Sequence, residues 1–262
     1  MRHDGRTLNI LVCVKQVTDL GAKRPEFSSS SADAPSVHLN SFDSYALEAA
    51  ARLRDKNPDI HITALSLGRT QEDEALRQAL AIAADEAFLA VVPNPDFLDP
   101  LSVSRLLAQA IQMLEAKLGT VDLIFCGQQS TDSQSAQVAP QLAQLLHLPV
   151  VCHSLEAESA DKTLRIKQKT WQGIRIVEAE LPCVAAFTKP VWSPRLPTVK
   201  SSITASQAII PTLEMPILPV PALTMQTKCF EAQKAGGLMI REKEGKASAQ
   251  KLYQLLSTAG VI

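Results

Sequence analysis

The chain has 262 residues, and its Lys+Arg 26 and Asp+Glu 27 nearly cancel to a formal charge of -1. It therefore lacks the basic field that holds a polyanion by counterion release, and no nucleic-acid partner is expected. Hydrophobic residues make up 46% and charged residues 20%, the balance of a globular domain and not of a disordered or membrane-embedded chain. Cys13, Cys126, Cys152, Cys183 and Cys229 are widely spaced with no Cys-x-x-Cys pair. That pattern excludes a structural zinc motif and suits packed thiols in a reducing compartment. Residues 1–7 are polar and too short for a signal peptide, and no apolar run reaches the roughly 18 residues of a membrane span. A cytoplasmic protein, not itself membrane-embedded, is expected.

In chain order, residues 8–14 form a continuous apolar run, as expected of a strand buried on both faces. Residues 19–36 hold a row of serines with Pro25 and Pro35 and read as a loop or short irregular hairpin. The spacing of Tyr45, Leu47, Ala49, Ala50 and Leu53 predicts a helix over 42–56, capped by Ser41 or Asp43. A second strand covers 61–67. A helix over 70–83 is expected from Thr70 placed three residues before Asp73. A third strand covers 87–92, and a long helix over 100–118 opens with Pro100, whose missing N–H costs nothing in a first turn. A fourth strand over 122–126 ends at Gly127, and a helix over 135–146 follows. Strand and helix alternating four times require a mostly parallel, doubly wound α/β sheet with right-handed crossovers.

Beyond Val150 the rhythm changes. Residues 164–169 and 173–181 partly alternate around a turn at Trp171-Gln-Gly173, and read as antiparallel additions to the sheet. A last apolar strand spans 183–188. Eight of the chain's 16 prolines then fall between Pro182 and Pro221, a density that argues against regular helix or central strand and for an extended C-terminal arm. Residues 248–259 recover a helical pattern. The expected organisation is an α/β domain over 1–188 followed by a proline-rich arm and terminal helix over 189–262.

Open parallel sheets bind ligands outside the carboxyl ends of their strands, here after Val14, Leu67 and Cys126. The run from Gly127 to Gln137 is the richest. It leaves a strand through glycine and carries Ser130, Thr131 and Ser133 ahead of a helix, so its N–H groups and hydroxyls could receive a phosphate or pyrophosphate. Capping of an ordinary strand–helix loop accounts for the same residues. There is no G-x-G-x-x-G, Walker motif, G-x-S-x-G or H-E-x-x-H, and the five histidines are scattered. With neither paired catalytic carboxylates nor an activated nucleophile, the pattern is that of a cofactor holder without catalytic residues of its own.

Asn9-Ile-Leu-Val-Cys-Val-Lys-Gln-Val-Thr-Asp19, Leu39-Asn-Ser-Phe-Asp-Ser-Tyr-Ala-Leu-Glu48, Gly127-Gln-Gln-Ser-Thr-Asp132 with Gln137-Val-Ala-Pro-Gln-Leu-Ala143, and Leu181-Pro-Cys-Val with Pro194-Arg195 together resemble the electron transfer flavoprotein beta subunit. The likeness is collinear and reaches Ala259-Gly-Val-Ile262. It implies a subunit that pairs with an alpha subunit, passes electrons from a dehydrogenase through FAD, and holds an adenine nucleotide, AMP or a second FAD, in its own pocket. By that resemblance the pocket comprises Cys13; Asn40, Ser41, Phe42 and Asp43; Leu67; and Gly127, Gln128, Gln129, Ser130, Thr131, Asp132, Ser133, Gln134, Ser135, Ala136, Gln137 and Val138. It also implies docking on an acyl-CoA dehydrogenase-type or other flavin dehydrogenase through the segment from Arg195 to Val199. The chain departs from the family where Asp132-Ser-Gln-Ser135 replaces the Asp-Gly-Asp-Thr of the group containing electron-bifurcating members. The family's frequent lysine cluster is absent from 198–205, and Val199 stands where leucine is commoner.

The alternative is a stand-alone adenine-nucleotide-binding regulatory domain. Some 60 residues of apolar and proline-rich arm exceed what such a domain's tail needs. A pyrophosphatase-type ligase would carry S-G-G-x-D-S after the first strand, and residues 15–19 do not.

Overall fold

A computed structural model describes residues 8–18, 37–95, 98–160, 162–215, 223 and 237–262. The serine-rich stretch 19–36, the polar residues 1–7, Cys229 and most of the arm after 215 lie outside the described residues. Two compact units are distinguished, Met1–Met225 and Gln226–Ile262.

In the first unit, β1 (Leu8–Cys13) is followed by the short antiparallel pair β2 (Gln16–Thr18) and β3 (Val37–Leu39). Then come α1 (Ser41–Lys56), β4 (Ile60–Gly68), α2 (Glu74–Ile82), β5 (Glu86–Val91), α3 (Pro100–Leu118), β6 (Leu123–Gly127) and α4 (Val138–Leu146). They lead into β7 (Val150–Ala160), β8 (Thr163–Thr170), β9 (Gly173–Glu180), β10 (Cys183–Phe187), α5 (Val199–Gln207) and β11 (Thr212–Glu214). One nine-stranded sheet has the order β11-β5-β4-β1-β6-β10-β7-β8-β9. Every neighbouring pair from β11 through β7 is parallel, whereas β7–β8 and β8–β9 are antiparallel. This is the expected mostly parallel α/β sheet with antiparallel additions.

The alternation along β1 sorts its side chains between two cores. Ile10, Val12 and Val14 pack with Leu47, Ala50, Leu76 and Ala79 of α1 and α2. Leu11 and Cys13 pack on the other face with Leu107 and Ile111 of α3 and with Leu142 of α4. From β1 the chain first winds through α1 and α2 to β4 and β5. It then crosses the opposite face through α3 to reach β6 on the other side of β1. The direction of winding therefore reverses between β1 and β6, which opens a crevice above their carboxyl ends.

Several expected boundaries shift for identifiable reasons. The N-cap of α1 is Asn40, whose carbonyl accepts from Asp43 N and Ser44 N, and neither Ser41 nor Asp43 caps it. Helix α2 starts at Glu74 and not at 70, because Gln71 is left-handed (φ 76°). Likewise α4 starts at Val138 and not at 135, since Gln134 (φ 52°) and Ala136 (φ 54°) cannot continue a right-handed helix. Strand β7 was not expected: a left-handed His153 (φ 56°) and a register shift between Ser154 and Glu156 interrupt its alternation.

The proline-rich region also departs from expectation. Between Pro197 and Pro211 the sequence is proline-free, and α5 forms there behind a capping box in which Thr198 and Ser201 bond reciprocally. Pro211 immediately precedes β11, an edge position where a missing N–H is tolerated, and β11 runs parallel to β5. Arg77 of α2 ties the end of α5 down through the carbonyls of Ala205, Ser206 and Ala208. In the second unit, α6 (Gly245–Thr258) covers the expected terminal helix. Lys251 there pairs with Glu242 at 3.0 Å.

Candidate functional site

The carboxyl ends of β4, β1 and β6 lie side by side, which brings Leu67, Cys13 and Gly127 to one edge of the sheet. The start of α1 meets that edge at a single buried carboxylate. Asp43 Oδ2 accepts from Lys15 N at 2.7 Å, and Oδ1 accepts from Asn40 Nδ2 at 2.9 Å and from Gly127 N at 3.1 Å. Strand β1, strand β6 and helix α1 are thus joined through one side chain. Burial pushes the Asp43 carboxyl up to about 7, against the pull of the Asn40 amide, the Lys15 and Gly127 N–H groups and the Lys15 charge.

Gly127 is required by this closeness. A Cβ there would overlap Asp43 Oδ1 and come within 2.8 Å of Phe42 Cβ and 2.9 Å of Asp43 N. The glycine expected to admit a ligand's phosphate thus first admits the opening turn of α1. Phe42 itself stacks edge-on against Tyr45, with centroids 6.1 Å apart.

Asn40 extends the junction into the loop after β6. Its Nδ2 also donates to Gln129 O at 2.9 Å, and its Oδ1 accepts from Thr131 N at 3.1 Å. Gln128 turns away: its Oε1 accepts from His153 N at 2.7 Å, and its own N–H donates to Phe187 O at 2.8 Å, bracing the loop on β7 and β10. Beyond Thr131 the loop is exposed. The Ser130 and Ser133 hydroxyls share a hydrogen bond of 2.7 Å. Asp132 Oδ1 accepts from Ser133 N at 2.6 Å, and Oδ2 pairs with Lys15 Nζ at 2.6 Å. Burial works against the Asp132 charge, but hydrogen bonds from Lys15 and Ser130 hold its carboxyl below the usual carboxylate range.

The expected site residues therefore divide. Asn40, Asp43, Gly127, Gln129 and Thr131 share one hydrogen-bond network, and Ser130, Asp132 and Ser133 project from it. Ser41 lies exposed in the first turn of α1, with its carbonyl accepting from Ser44 Oγ. Leu67 lines the end of β4 outside the network. Gln134, Ser135, Ala136 and Gln137 lead into Val138 at the start of α4. Cys13 faces the α3–α4 core beside Cys126, whose thiol is pushed far up by its hydrogen bond to Cys13 and by burial. These two thiols, with Cys183, are buried and free, and Cys152 is partly buried and free. Lys15 was not among the expected residues, though a lysine placed directly after a buried strand that ends at the sheet's carboxyl edge is a signal that could have found it.

A groove of about 470 Å³ lies at the amino-terminal edge of the sheet, lined by Asn9, His61, Thr63, Glu86, Leu114 and Val121 among others. Its polar groups satisfy one another: Glu86 Oε1 is 3.0 Å from His61 Nε2 and accepts from Thr63 Oγ1 at 3.0 Å. It occupies the end of the strands opposite to the one that binds ligands in this architecture. Among the described residues, no group of three or more His, Cys, Asp or Glu side chains could hold a metal ion. No helix among them is long and apolar enough to cross a membrane.

The segment after β10 is anchored more firmly than an extended arm suggests. Arg195 Nε donates to Glu48 Oε2 at 2.7 Å, its backbone N–H donates to the same oxygen at 3.1 Å, and Nη2 donates to Asp55 Oδ2 at 2.6 Å. Trp192 lies under Arg52, whose guanidinium carbon is 4.4 Å from the ring centroid. Arg195 clamps the segment onto α1, while Leu196 (87% exposed) and Val199 (80%) point to solvent.

The fold and the strand-end junction define a doubly wound α/β protein of the kind that holds a ligand at the switch point of its sheet. The electron transfer flavoprotein domain matches residues 32–217. The chain is 32% identical over 256 residues to the electron transfer flavoprotein subunit beta of Megasphaera elsdenii, covering 92% of this chain and 94% of that one. It is 34% identical over 194 residues to subunit CarD of the caffeyl-CoA reductase–Etf complex of Acetobacterium woodii, covering 73% and 72%. It is 31% identical over 180 residues to the acryloyl-CoA reductase electron transfer subunit gamma of Anaerotignum propionicum, covering 68% and 66%. The chain belongs to the electron transfer flavoprotein family and is of its beta-subunit type.

Proposed function

We propose that the chain is the beta subunit of a heterodimeric electron transfer flavoprotein. It accepts electrons from a flavin dehydrogenase and passes them on through FAD held with an alpha subunit, in the cytoplasm. Its own pocket, above Asp43 and Gly127, takes an adenine nucleotide, AMP or a second FAD. One observation carries this reading: Asn40 and Asp43 fix the ends of β1 and β6 and the following loop around the sheet's switch point. The hydroxyls of Ser130 and Ser133 and the Ser133 N–H are left outside that network, where a phosphate is received in such folds. When bound, the flavin supplies the redox chemistry, and the chain's residues position it and limit water access. Leu196 and Val199, exposed beside the Arg195 clamp, form the surface for the dehydrogenase.

The test is to co-express the chain with its alpha partner, release the nucleotides with acid and separate them. One FAD and one AMP per heterodimer make the complex a simple carrier, and two FAD make it a candidate for bifurcation. A heterodimer with a single flavin and no second nucleotide would refute the pocket.

A further inference from the structure

The most informative feature outside the Asn40–Asp43 network is what Asp132 does with its charge. Its carboxylate takes the Lys15 ammonium at 2.6 Å and the Ser133 N–H at 2.6 Å, beside the Ser130 and Ser133 hydroxyls, which share a hydrogen bond of 2.7 Å. A cation and a backbone N–H converging on one anionic group, with two hydroxyls beside it, are the donors that receive a phosphate monoester. All of these groups come from the crevice edge: Lys15 follows β1, and Ser130 and Ser133 lie in the loop after β6, which Asn40 pins at Gln129 and Thr131.

We infer that Asp132 is a built-in stand-in for a phosphate, held by Lys15 until a nucleotide phosphate displaces it and takes the same donors. The inference rests on the pocket reading above and adds to it the residues that recognise the phosphate. The energetics permit the exchange. The Lys15 and Asp132 side chains are 48% and 37% exposed, and an ion pair so wet adds little. A dianionic phosphate offers Lys15 more charge, and the released carboxylate is rehydrated at little cost. Asp132 therefore sets a threshold that a phosphorylated ligand clears and a neutral nucleoside does not meet.

The experiment measures binding of AMP and of adenosine by calorimetry to the full chain stripped of nucleotide, and to its Asp132→Asn and Lys15→Met variants. Removing the stand-in should tighten AMP about threefold to fivefold, and removing the cation should weaken it about tenfold, the worth of one charge-assisted hydrogen bond. Adenosine affinity should stay the same in all three proteins. Their unfolding midpoints should also agree, since an exposed pair adds little to stability. Equal shifts for AMP and adenosine would make Lys15 and Asp132 a loop brace and overturn the inference while leaving the pocket standing. If none of the three proteins binds either ligand, the pocket reading itself falls, and this inference falls with it.

Discussion

Replacing Gly127 by alanine tests the junction on which the site is built. The new Cβ would overlap Asp43 Oδ1 and lie 2.8 Å from Phe42 Cβ, and neither can yield easily. Phe42 and Asp43 belong to the first turn of α1, and Asp43 is held from three directions. Overpacking of this kind costs about 1–3 kcal/mol. As α1 is pushed away, the bond from Gly127 N to Asp43 Oδ1 lengthens and leaves a buried carboxylate short of a donor, worth about another 1–3 kcal/mol. A loss of roughly 2–6 kcal/mol follows, with no contribution from backbone strain, because Gly127 is not among the glycines with positive φ. Urea unfolding of the two proteins measures it as a shift in midpoint at constant slope. Cys126→Ala is the control one residue earlier: it removes a sulfur from the α3–α4 core and leaves the Asp43 contacts alone. A Gly127→Ala protein as stable as the wild type would show that the close approach of α1 to β6 is not required and would refute this account of the site.

The Asp43 carboxyl is raised from 3.8 to about 7, so ionising it in the folded protein is harder than in the unfolded one. Its contribution is complete below about pH 4 and is lost as the pH rises toward 7, a difference of order 4 kcal/mol, and Asp43→Asn should flatten that part of the stability-versus-pH curve measured by urea unfolding. Burial opposes the charge on Glu48, but Arg195 and Arg52 hold its carboxyl low, and hydrogen bonds from Arg195 do the same for Asp55. That stabilisation is complete above the ordinary carboxylate range and is lost progressively as the pH falls below it through the lowered values, so Arg195→Ala should cost about 1–3 kcal/mol at neutral pH, with partial exposure discounted, and less at pH 3. Val199→Ala should weaken electron transfer from the cognate dehydrogenase without releasing the alpha partner or the bound nucleotides. Unchanged transfer would place the anchor elsewhere, and loss of the partner would assign the residue to the subunit interface.

The parts legible in the sequence are those where one residue property decides the structure. Strands β1, β4, β5 and β6 are buried on both faces and so appear as apolar runs, and Pro100 marks the first residue of α3. What was misread depends on tertiary context. The late starts of α2 and α4 follow from left-handed Gln71, Gln134 and Ala136, residue types that give no local warning of that conformation. Strand β7 hides behind the irregularity at His153. The density of prolines after 182 conceals a proline-free stretch, between Pro197 and Pro211, long enough for α5. Within the site, the resemblance pointed to Asn40, Asp43 and the loop from Gly127. Lys15 carries a local signal in its place directly after β1, but its pairing with Asp132, 117 residues away, depends on β1 and β6 being neighbours.

The network that closes the fold and the one that shapes the crevice share atoms. Asn40 Nδ2 donates both to Asp43 Oδ1 and to Gln129 O, so the side chain that steadies the core carboxylate also sets the height of the loop. Asp43 Oδ1 in turn accepts from Gly127 N, the residue from which that loop departs. A ligand that lifts the loop after β6 must therefore disturb either Asn40 or the Gly127–Asp43 bond, and through Asp43 the end of β1 at Lys15. A ligand that moves only Ser130, Asp132 and Ser133 disturbs neither. The geometry thus separates a rigid floor, in which substitutions should appear first as lost stability, from an adjustable rim, in which they should appear as altered phosphate affinity at unchanged stability.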